Sequence, residues 1–164
     1  MTNKTFNRLC IFSLFFTACW FFGNLYEEIV IVPNQLSDTY RALQLWQSYF
    51  TVTNPIYYYV PFTQIAVVVI WILFFTSKQL KEKQLLKKAA ICGTIAIALT
   101  ILIVTQINMK LFYGDLNKYK DQLYSLVIMW LFGNALRLLL VGISLYLLFK
   151  AYLLKQVSAS GDKE

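Results

Sequence analysis

The segment Leu126–Phe149 reads LVIMWLFGNALRLLLVGISLYLLF, and Arg137 is the only charged residue among its 24 positions. A helix needs about 20 consecutive apolar residues to cross the hydrocarbon core of a bilayer. Three further segments are apolar over a comparable length: about Leu9–Val32, Ile56–Ser77 and Ala89–Gln106. The chain therefore predicts an all-α fold, a bundle of four transmembrane helices.

The overall composition supports a membrane protein. Of the 164 residues, 59% are hydrophobic and 14% are charged, whereas charged residues make up about 25% of a typical soluble domain. The four apolar segments take up most of the chain. We therefore interpret residues 1–164 as a single membrane domain with no room for a soluble catalytic module.

Basic residues are distributed unevenly between the two sides of the predicted bundle. Ten Lys and Arg residues lie in the N-terminus, the second connection and the C-terminal tail, and four lie in the first and third connections. Because Lys and Arg collect in cytoplasmic flanks, we expect both termini on the cytoplasmic side, in the cytoplasmic (inner) membrane of a bacterium. The formal charge of +7 then favours contact with anionic membrane lipid rather than with nucleic acid.

The sequence lacks the residues that several classes of catalytic and metal site require. The chain has no histidine, which argues against haem and zinc sites with histidine ligands and against Ser-His or Cys-His nucleophiles. Cys10, Cys19 and Cys92 have no CxxC spacing, and neither a phosphate-binding glycine loop nor a carboxylate-rich metal cluster occurs. We expect no metal and no cofactor.

The first external connection, Pro33 to Pro55, has the periodicity of a helix. Apolar residues recur there every three or four positions: Leu36, Tyr40, Leu43, Trp46 and Phe50. This spacing predicts an amphipathic helix. It fits a helix lying on the outer membrane surface and equally a helix packed on its own bundle.

One short pattern occurs in both the first and the fourth segment. Trp20-Phe21-Phe22-Gly23-Asn24-Leu25-Tyr26-Glu27 and Trp130-Leu131-Phe132-Gly133-Asn134-Ala135-Leu136-Arg137 both read Trp-x-Phe-Gly-Asn-x-x-charge. On a helix, the Trp, Gly, Asn and charged positions fall on one face. Polar groups within an apolar span are costly unless they find partners, so the pattern indicates a polar site inside the bundle.

The uncommon polar residues of the four segments all fall toward the outer side, and the inner half reads as nearly pure hydrocarbon. We predict a ligand-binding pocket there, formed by Asn24, Glu27, Gln64, Asn108, Asn134 and Arg137. Glu27 is the expected partner of Arg137, because their predicted levels differ by only about 6 Å. Of the two neighbouring glutamates, Glu28 is expected to be the more solvated.

Small residues recur along the third segment: Ala89, Cys92, Gly93, Ala96 and Thr100. Small side chains at this spacing let helix backbones approach closely in lipid. The stripe therefore predicts a helix–helix contact rather than a ligand site.

Three groups of residues resemble a known family. They are Gly23, Asn24, Tyr26, Glu27 and Pro33; Thr105, Asn108 and Leu111; and Trp130, Asn134 and Arg137. Together the groups are similar to the anthrone-oxygenase-like family of small four-helix membrane proteins. The resemblance implies a four-helix fold and, for activity, cofactor-free oxidation of a reduced polycyclic aromatic by dioxygen. Asn108, Asn134 and Arg137 match positions of that family.

Three functions fit the predicted pocket. In the first, the protein binds a lipophilic or aromatic small molecule, with its polar end at Arg137. In the second, it is an oxygenase of the anthrone type; the catalytic candidates are then Glu27 as a base and Arg137 as the group that stabilises an anion. In the third, it is a structural subunit of a membrane complex. The sequence leaves enzymatic activity and self-association open.

Overall fold

The computed structural model describes residues 1–161, with side chains given to residue 157. The described part is all-helical, about 90% helix with no strand. It contains four helices that are long and apolar enough to cross a membrane. Their α-helical parts are α1 (Asn3–Tyr26), α4 (Pro55–Thr76), α5 (Leu80–Ile103) and α7 (Leu123–Gly161).

Two of the long helices contain π-helical turns. After α1, the π-helical turn Glu27–Ile31 leads into α2 (Val32–Ser37), and the whole segment forms one helical rod of 35 residues. After α5, the turn Val104–Asn108 leads into α6 (Met109–Leu111). Such turns widen the helix locally and occur frequently at functional sites.

The helices extend beyond the predicted crossing segments. The first and third rods, Asn3–Ser37 and Leu80–Leu111, continue past the predicted ranges at both ends. The second helix ends at Thr76, one residue before the predicted limit. Apolar content alone set the predicted limits, whereas helical structure continues through flanking polar residues because their backbone groups still need partners.

The long helices form a closed ring in chain order. Helix α1 packs on α4 and α7, and α5 packs on α4 and α7. Lys155, late in α7, lies with its ammonium nitrogen 5.3 Å from the ring of Phe6, early in α1. Both ends of the described chain therefore lie at one end of the bundle, which we call the proximal end. The opposite end, where α2 and α3 lie, is the distal end.

The proximal half of the bundle is tightly packed. A Cβ added at Gly93 would lie 2.8 Å from a methyl group of Val67, so α4 and α5 approach too closely for a larger residue. The Ser144 hydroxyl of α7 donates to the Ala89 carbonyl of α5 over 2.9 Å. Ala89, Gly93 and Ala96 are buried. The small-residue stripe thus lies at helix contacts, as such residues do in lipid.

The first external connection contains the helix α3 (Thr39–Tyr49). Leu43 on this helix is fully buried in the distal core. The Gln47 amide donates to the carbonyls of Leu111 and Gly114, over 3.2 and 3.1 Å. Helix α3 therefore packs on the bundle, and a position on the membrane surface stays a prediction.

Candidate functional site

A cavity lies between the helices at the distal end. It measures about 740 Å³ including its open mouth. Its walls carry six aromatic side chains, which are Trp20, Trp46, Tyr59, Phe112, Tyr113 and Trp130. Polar side chains also line it: Asn24, Glu27, Gln35, Asn54, Thr63, Thr100, Asn108 and Arg137. An apolar cavity with a few convergent polar groups is the usual form of a small-molecule site.

Arg137 is 7% exposed and is held by side chains of three helices. Its Nε donates to Oδ1 of Asn134 over 3.0 Å, and its Nη2 donates to the side-chain oxygens of Asn24 and Asn134. Its Nη1 lies 3.5 Å from the hydroxyl of Thr100. A guanidinium has five N–H donors. The four bonds thus hold the cation in place and leave one donor without a protein partner among the described residues.

The two asparagines of the repeated pattern meet at the α1–α7 contact. Asn24 is almost completely buried and donates from Nδ2 to the Trp20 carbonyl over 2.7 Å. Asn134 is fully buried and donates to the Asn24 carbonyl over 3.4 Å. Because Asn134 lies behind the guanidinium, it supports Arg137 and does not line the cavity.

Glu27, the expected partner of Arg137, lies near it without direct contact. Glu27 lines the same cavity as Arg137 and is close enough for an electrostatic interaction with it, but the two side chains form no ion pair or hydrogen bond in the described chain. Asn24, one helical turn earlier, reaches the guanidinium instead. The sequence predicted the correct end of the bundle for the Glu27 carboxylate. It did not show that Asn24, one turn away, would be the residue in contact with Arg137.

Glu28 is partly buried and less enclosed by protein than Glu27. Its Oε1 is buried without a hydrogen-bond partner, and its carboxylate also interacts electrostatically with Arg137. Both carboxylates begin the π-helical turn Glu27–Ile31. That turn changes the angular spacing of successive side chains.

Three polar atoms of the cavity residues are buried without a hydrogen-bond partner. They are Nε1 of Trp130, Nε2 of Gln35 and Oδ1 of Asn108. Trp130 is 6% exposed and Gln35 is 5% exposed. A buried donor or acceptor that stays unpaired costs about 1–3 kcal/mol. All three residues line the distal cavity.

The predicted pocket residues do not all come together. Asn24, Glu27, Asn108 and Arg137 line the cavity, and Asn134 supports it. Gln64 does not line it: the side chain is exposed and belongs to a neighbouring cleft between α4 and α5. Gln64 follows Pro61 by three positions on α4. No periodic pattern in that segment indicates which face of the helix points into the bundle.

Most other residues of the cavity wall were not predicted, among them Gln35, Trp46, Tyr59 and Thr100. Thr100 belongs to the small-residue stripe, which predicted packing alone. Trp46 is on α3. The sequence left open whether this helix packs on the bundle or lies on the membrane surface. Tyr59 was one of three consecutive tyrosines expected at the membrane boundary, and its hydroxyl lies against Gly23.

A second polar cluster lies at the proximal end, in the lysine-rich region between the second and third predicted segments. Glu82 on α5 is fully buried. It accepts a hydrogen bond from the Ser77 hydroxyl, and its Oε2 lies 3.7 Å from Nζ of Lys155. Glu82 is flanked by lysines in sequence, so it reads as part of a solvated charge run. Only the packing of α7 beside α5 shows that it is buried.

The described residues contain no group of three His, Cys, Asp or Glu side chains that could hold a metal ion. The cavity can instead offer a guanidinium and an indole N–H to an acceptor, and a carboxylate to a donor. No protein-family model matches the chain, and comparisons with curated proteins and with solved structures found no match.

Proposed function

We propose that this protein binds a lipophilic or aromatic small molecule in the distal cavity. The unpaired buried atoms of Trp130, Gln35 and Asn108 carry this proposal. These three residues line the same cavity as Arg137, and aromatic rings form much of its wall. A ligand that supplied oxygen and hydroxyl groups to these atoms would recover part of their desolvation cost. Its rings or chain would pack against the aromatic side chains.

The charges around the cavity favour an uncharged polar end on the ligand. Two carboxylates, Glu27 and Glu28, are close to the single guanidinium of Arg137. An anionic ligand group would gain attraction from one cation and meet repulsion from two anions. A carbonyl oxygen that accepts from Arg137, beside a hydroxyl that donates to Glu27, satisfies both kinds of group.

We also propose that the protein resides in the bacterial cytoplasmic membrane, with both termini in the cytoplasm. The four long apolar helices support a position in a membrane. The ten basic residues in the termini and second connection, against four in the other connections, support this orientation. The cavity would then open toward the outer leaflet.

The experiment is native mass spectrometry of the protein released from membranes in mild detergent. We expect a bound lipophilic molecule on the wild-type chain and its loss from Arg137→Leu and Trp130→Phe. Trp130→Phe keeps a ring but removes the indole N–H. The control is Leu139→Ala on the exposed face of α7, which should keep the ligand. A wild-type chain without any bound molecule, or equal retention by all variants, would contradict the proposal.

A second candidate function is the oxygenase that the family resemblance implies. The observation in its favour is that the Glu27 carboxylate and Arg137 line one cavity. In that reaction Glu27 would take a proton from the methylene of an anthrone, and Arg137 would stabilise the resulting enolate. Dioxygen would accept the electrons, giving the quinone and one water per dioxygen consumed. Oxygen uptake with anthrone, lost in Glu27→Gln, tests this candidate.

A further inference from the structure

A cleft lies between α4 and α5, beside the distal cavity. It measures about 630 Å³ including open space. Its lining comes from the first part of α4 and the last part of the α5 rod, with Trp20 of α1 at the back. Gln64, Ile101 and Thr105 line it and are exposed on the outer surface of the bundle. In a membrane, this surface faces the lipid chains.

The cleft and the cavity adjoin each other. Six residues line both of them: Trp20, Ile56, Val60, Thr63, Thr100 and Val104. Thr100 contributes to the cleft wall, and its hydroxyl is also 3.5 Å from the Arg137 guanidinium. Only this shared layer of side chains lies between the polar end of the cavity and the lipid-facing cleft.

The packing of α4 on α5 explains why the cleft is in the distal half. Toward their short connection the two helices are held together by the hydrogen bond from Trp71 Nε1 to Thr94, which is 3.0 Å long, and by the close approach at Gly93. The cleft lies beyond these contacts. There α4 contains Pro61, which lacks a backbone N–H, and the α5 rod changes to the π-helical turn Val104–Asn108. Both features disturb regular packing in the same region.

We infer that the ligand is a single-chain amphiphile whose apolar chain leaves the cavity through the α4–α5 cleft into the bilayer. This inference rests on the proposed function, since the uncharged hydroxyl- and carbonyl-bearing end occupies the distal cavity. The cleft walls suit an apolar chain because Ile56, Val60, Ile97, Ile101 and Val104 line them. From Ile97 to Thr105 the α5 rod rises about 12 Å, which gives the chain an extended track. The cleft is also the route by which the molecule enters from the outer leaflet.

The test uses a 1-acylglycerol with a photoactivatable diazirine in the middle of its chain, and the full-length protein in phosphatidylcholine nanodiscs. Irradiation followed by peptide mass spectrometry maps where the chain lies. We expect labelling of Gln64, Ile101 and Thr105 that excess unlabelled 1-acylglycerol removes. Labelling of other lipid-facing residues should not respond to the competitor.

Two variants distinguish a chain in the cleft from general contact with lipid. Ile101→Trp fills the cleft without touching the distal cavity, and we expect it to lose the competitor-sensitive labelling at Gln64 and Thr105. Leu139→Trp makes the same kind of change on the exposed face of α7 and should retain it. If Ile101→Trp does not fold, Ile101→Phe makes a smaller obstruction and should reduce the labelling in the same direction.

The outcomes separate this inference from the proposed function. If a molecule that requires Arg137 co-purifies with the protein but competitor-sensitive labelling is absent from the cleft, the proposed function stands and the route is wrong. Competitor-sensitive labelling in the groove between α1 and α7, at Phe21 or Leu138, would also overturn the route. Stronger competition by a fatty-acid anion than by 1-acylglycerol would overturn the uncharged polar end. If neither a bound molecule nor competitor-sensitive labelling is found, both proposals fail.

Discussion

The guanidinium of Arg137 on α7 donates a hydrogen bond to the side-chain oxygen of Asn24 on α1, although 113 positions separate them in sequence. Asn134, one turn before Arg137, completes the cluster. The repeated Trp-x-Phe-Gly-Asn pattern thus has a physical meaning: its two copies meet where the last helix closes the ring on the first. The meeting point forms the polar end of the distal cavity.

Removing the side-chain amide of Asn134 tests the cluster. Asn134→Leu deprives Arg137 of an acceptor for both Nε and Nη2 and leaves the guanidinium less well paired in a buried place. We expect a loss of about 1–3 kcal/mol in the free energy of unfolding, measured by denaturant titration in detergent micelles. Asn34→Ala is the control: Asn34 is exposed and donates to the Val30 carbonyl. An equal effect of the two substitutions would show that the buried cluster has no special stabilising role.

Replacing each of the two glycines of the repeated pattern with alanine should change the free energy of unfolding by different amounts. A Cβ at Gly23 would collide with the hydroxyl and ring of Tyr59, whereas a Cβ at Gly133 would be 3.1 Å from the terminal methyl of Ile103. Overpacking of the first kind costs about 1–3 kcal/mol, and the movement of Tyr59 should also weaken ligand binding. Gly133→Ala should cost less, because the end of an isoleucine side chain can move.

A double substitution identifies the cause of the Gly23 effect. In a Tyr59→Ala background the collision partner is gone, so Gly23→Ala should have little further effect on stability. Micelle denaturation of the four proteins of this cycle measures the coupling. An undiminished loss in the Tyr59→Ala background would mean that Gly23 is needed for another reason.

The proximal cluster should contribute to stability independently of the cavity. Lys155→Met leaves the fully buried Glu82 without its cation, and loss of one partner from a buried ion pair costs about 3–5 kcal/mol. Since Lys155 is 25% exposed, water can partly replace it, and we expect the lower end of that range. The double variant Lys155→Met with Glu82→Leu should recover part of the loss. Lys83→Met, in the same lysine-rich connection, is the control.

The membrane orientation can be measured with reporter fusions. A green fluorescent protein attached after Glu164 becomes fluorescent in the bacterial cytoplasm but not after export in unfolded form through the general secretory route. We expect a fluorescent fusion. Alkaline phosphatase inserted after Val52, in the first external connection, should be active because it folds outside the cytoplasm. The reverse pair of results would show that the distal cavity opens toward the cytoplasm.

The sequence predicted the helices because hydrophobic length depends on local composition. Segments such as Leu126–Phe149 must satisfy their backbone hydrogen bonds internally in lipid, so their length and apolarity predict helical crossings. It also predicted that Asn24 and Glu27 would share one face of the first helix, and Asn134 and Arg137 one face of the last, because a 3.6-residue period is readable from spacing. These predictions depend on one helix at a time.

What the sequence could not provide depends on contacts between helices and on irregular turns. Glu82 looks solvated among its lysines until α7 is placed beside it. Gln64 looks like a pocket residue until the rotation of α4 is known. The π-helical turn Glu27–Ile31 cannot be read from the spacing of the residues, and Asn24, which lies before that turn, contacts the Arg137 guanidinium. Periodicity does not reveal how each helix is rotated about its axis, because the different faces of a helix have nearly the same composition.

The most direct test of the account is an experimental structure of the wild-type protein in lipid nanodiscs, at a resolution that shows side chains. We predict density for a bound molecule between Trp20 and Trp130, with a polar end within hydrogen-bond distance of Arg137. An Arg137 guanidinium that points into lipid, away from Asn24, would contradict the account. So would side chains that close the distal cavity and leave no space for a ligand.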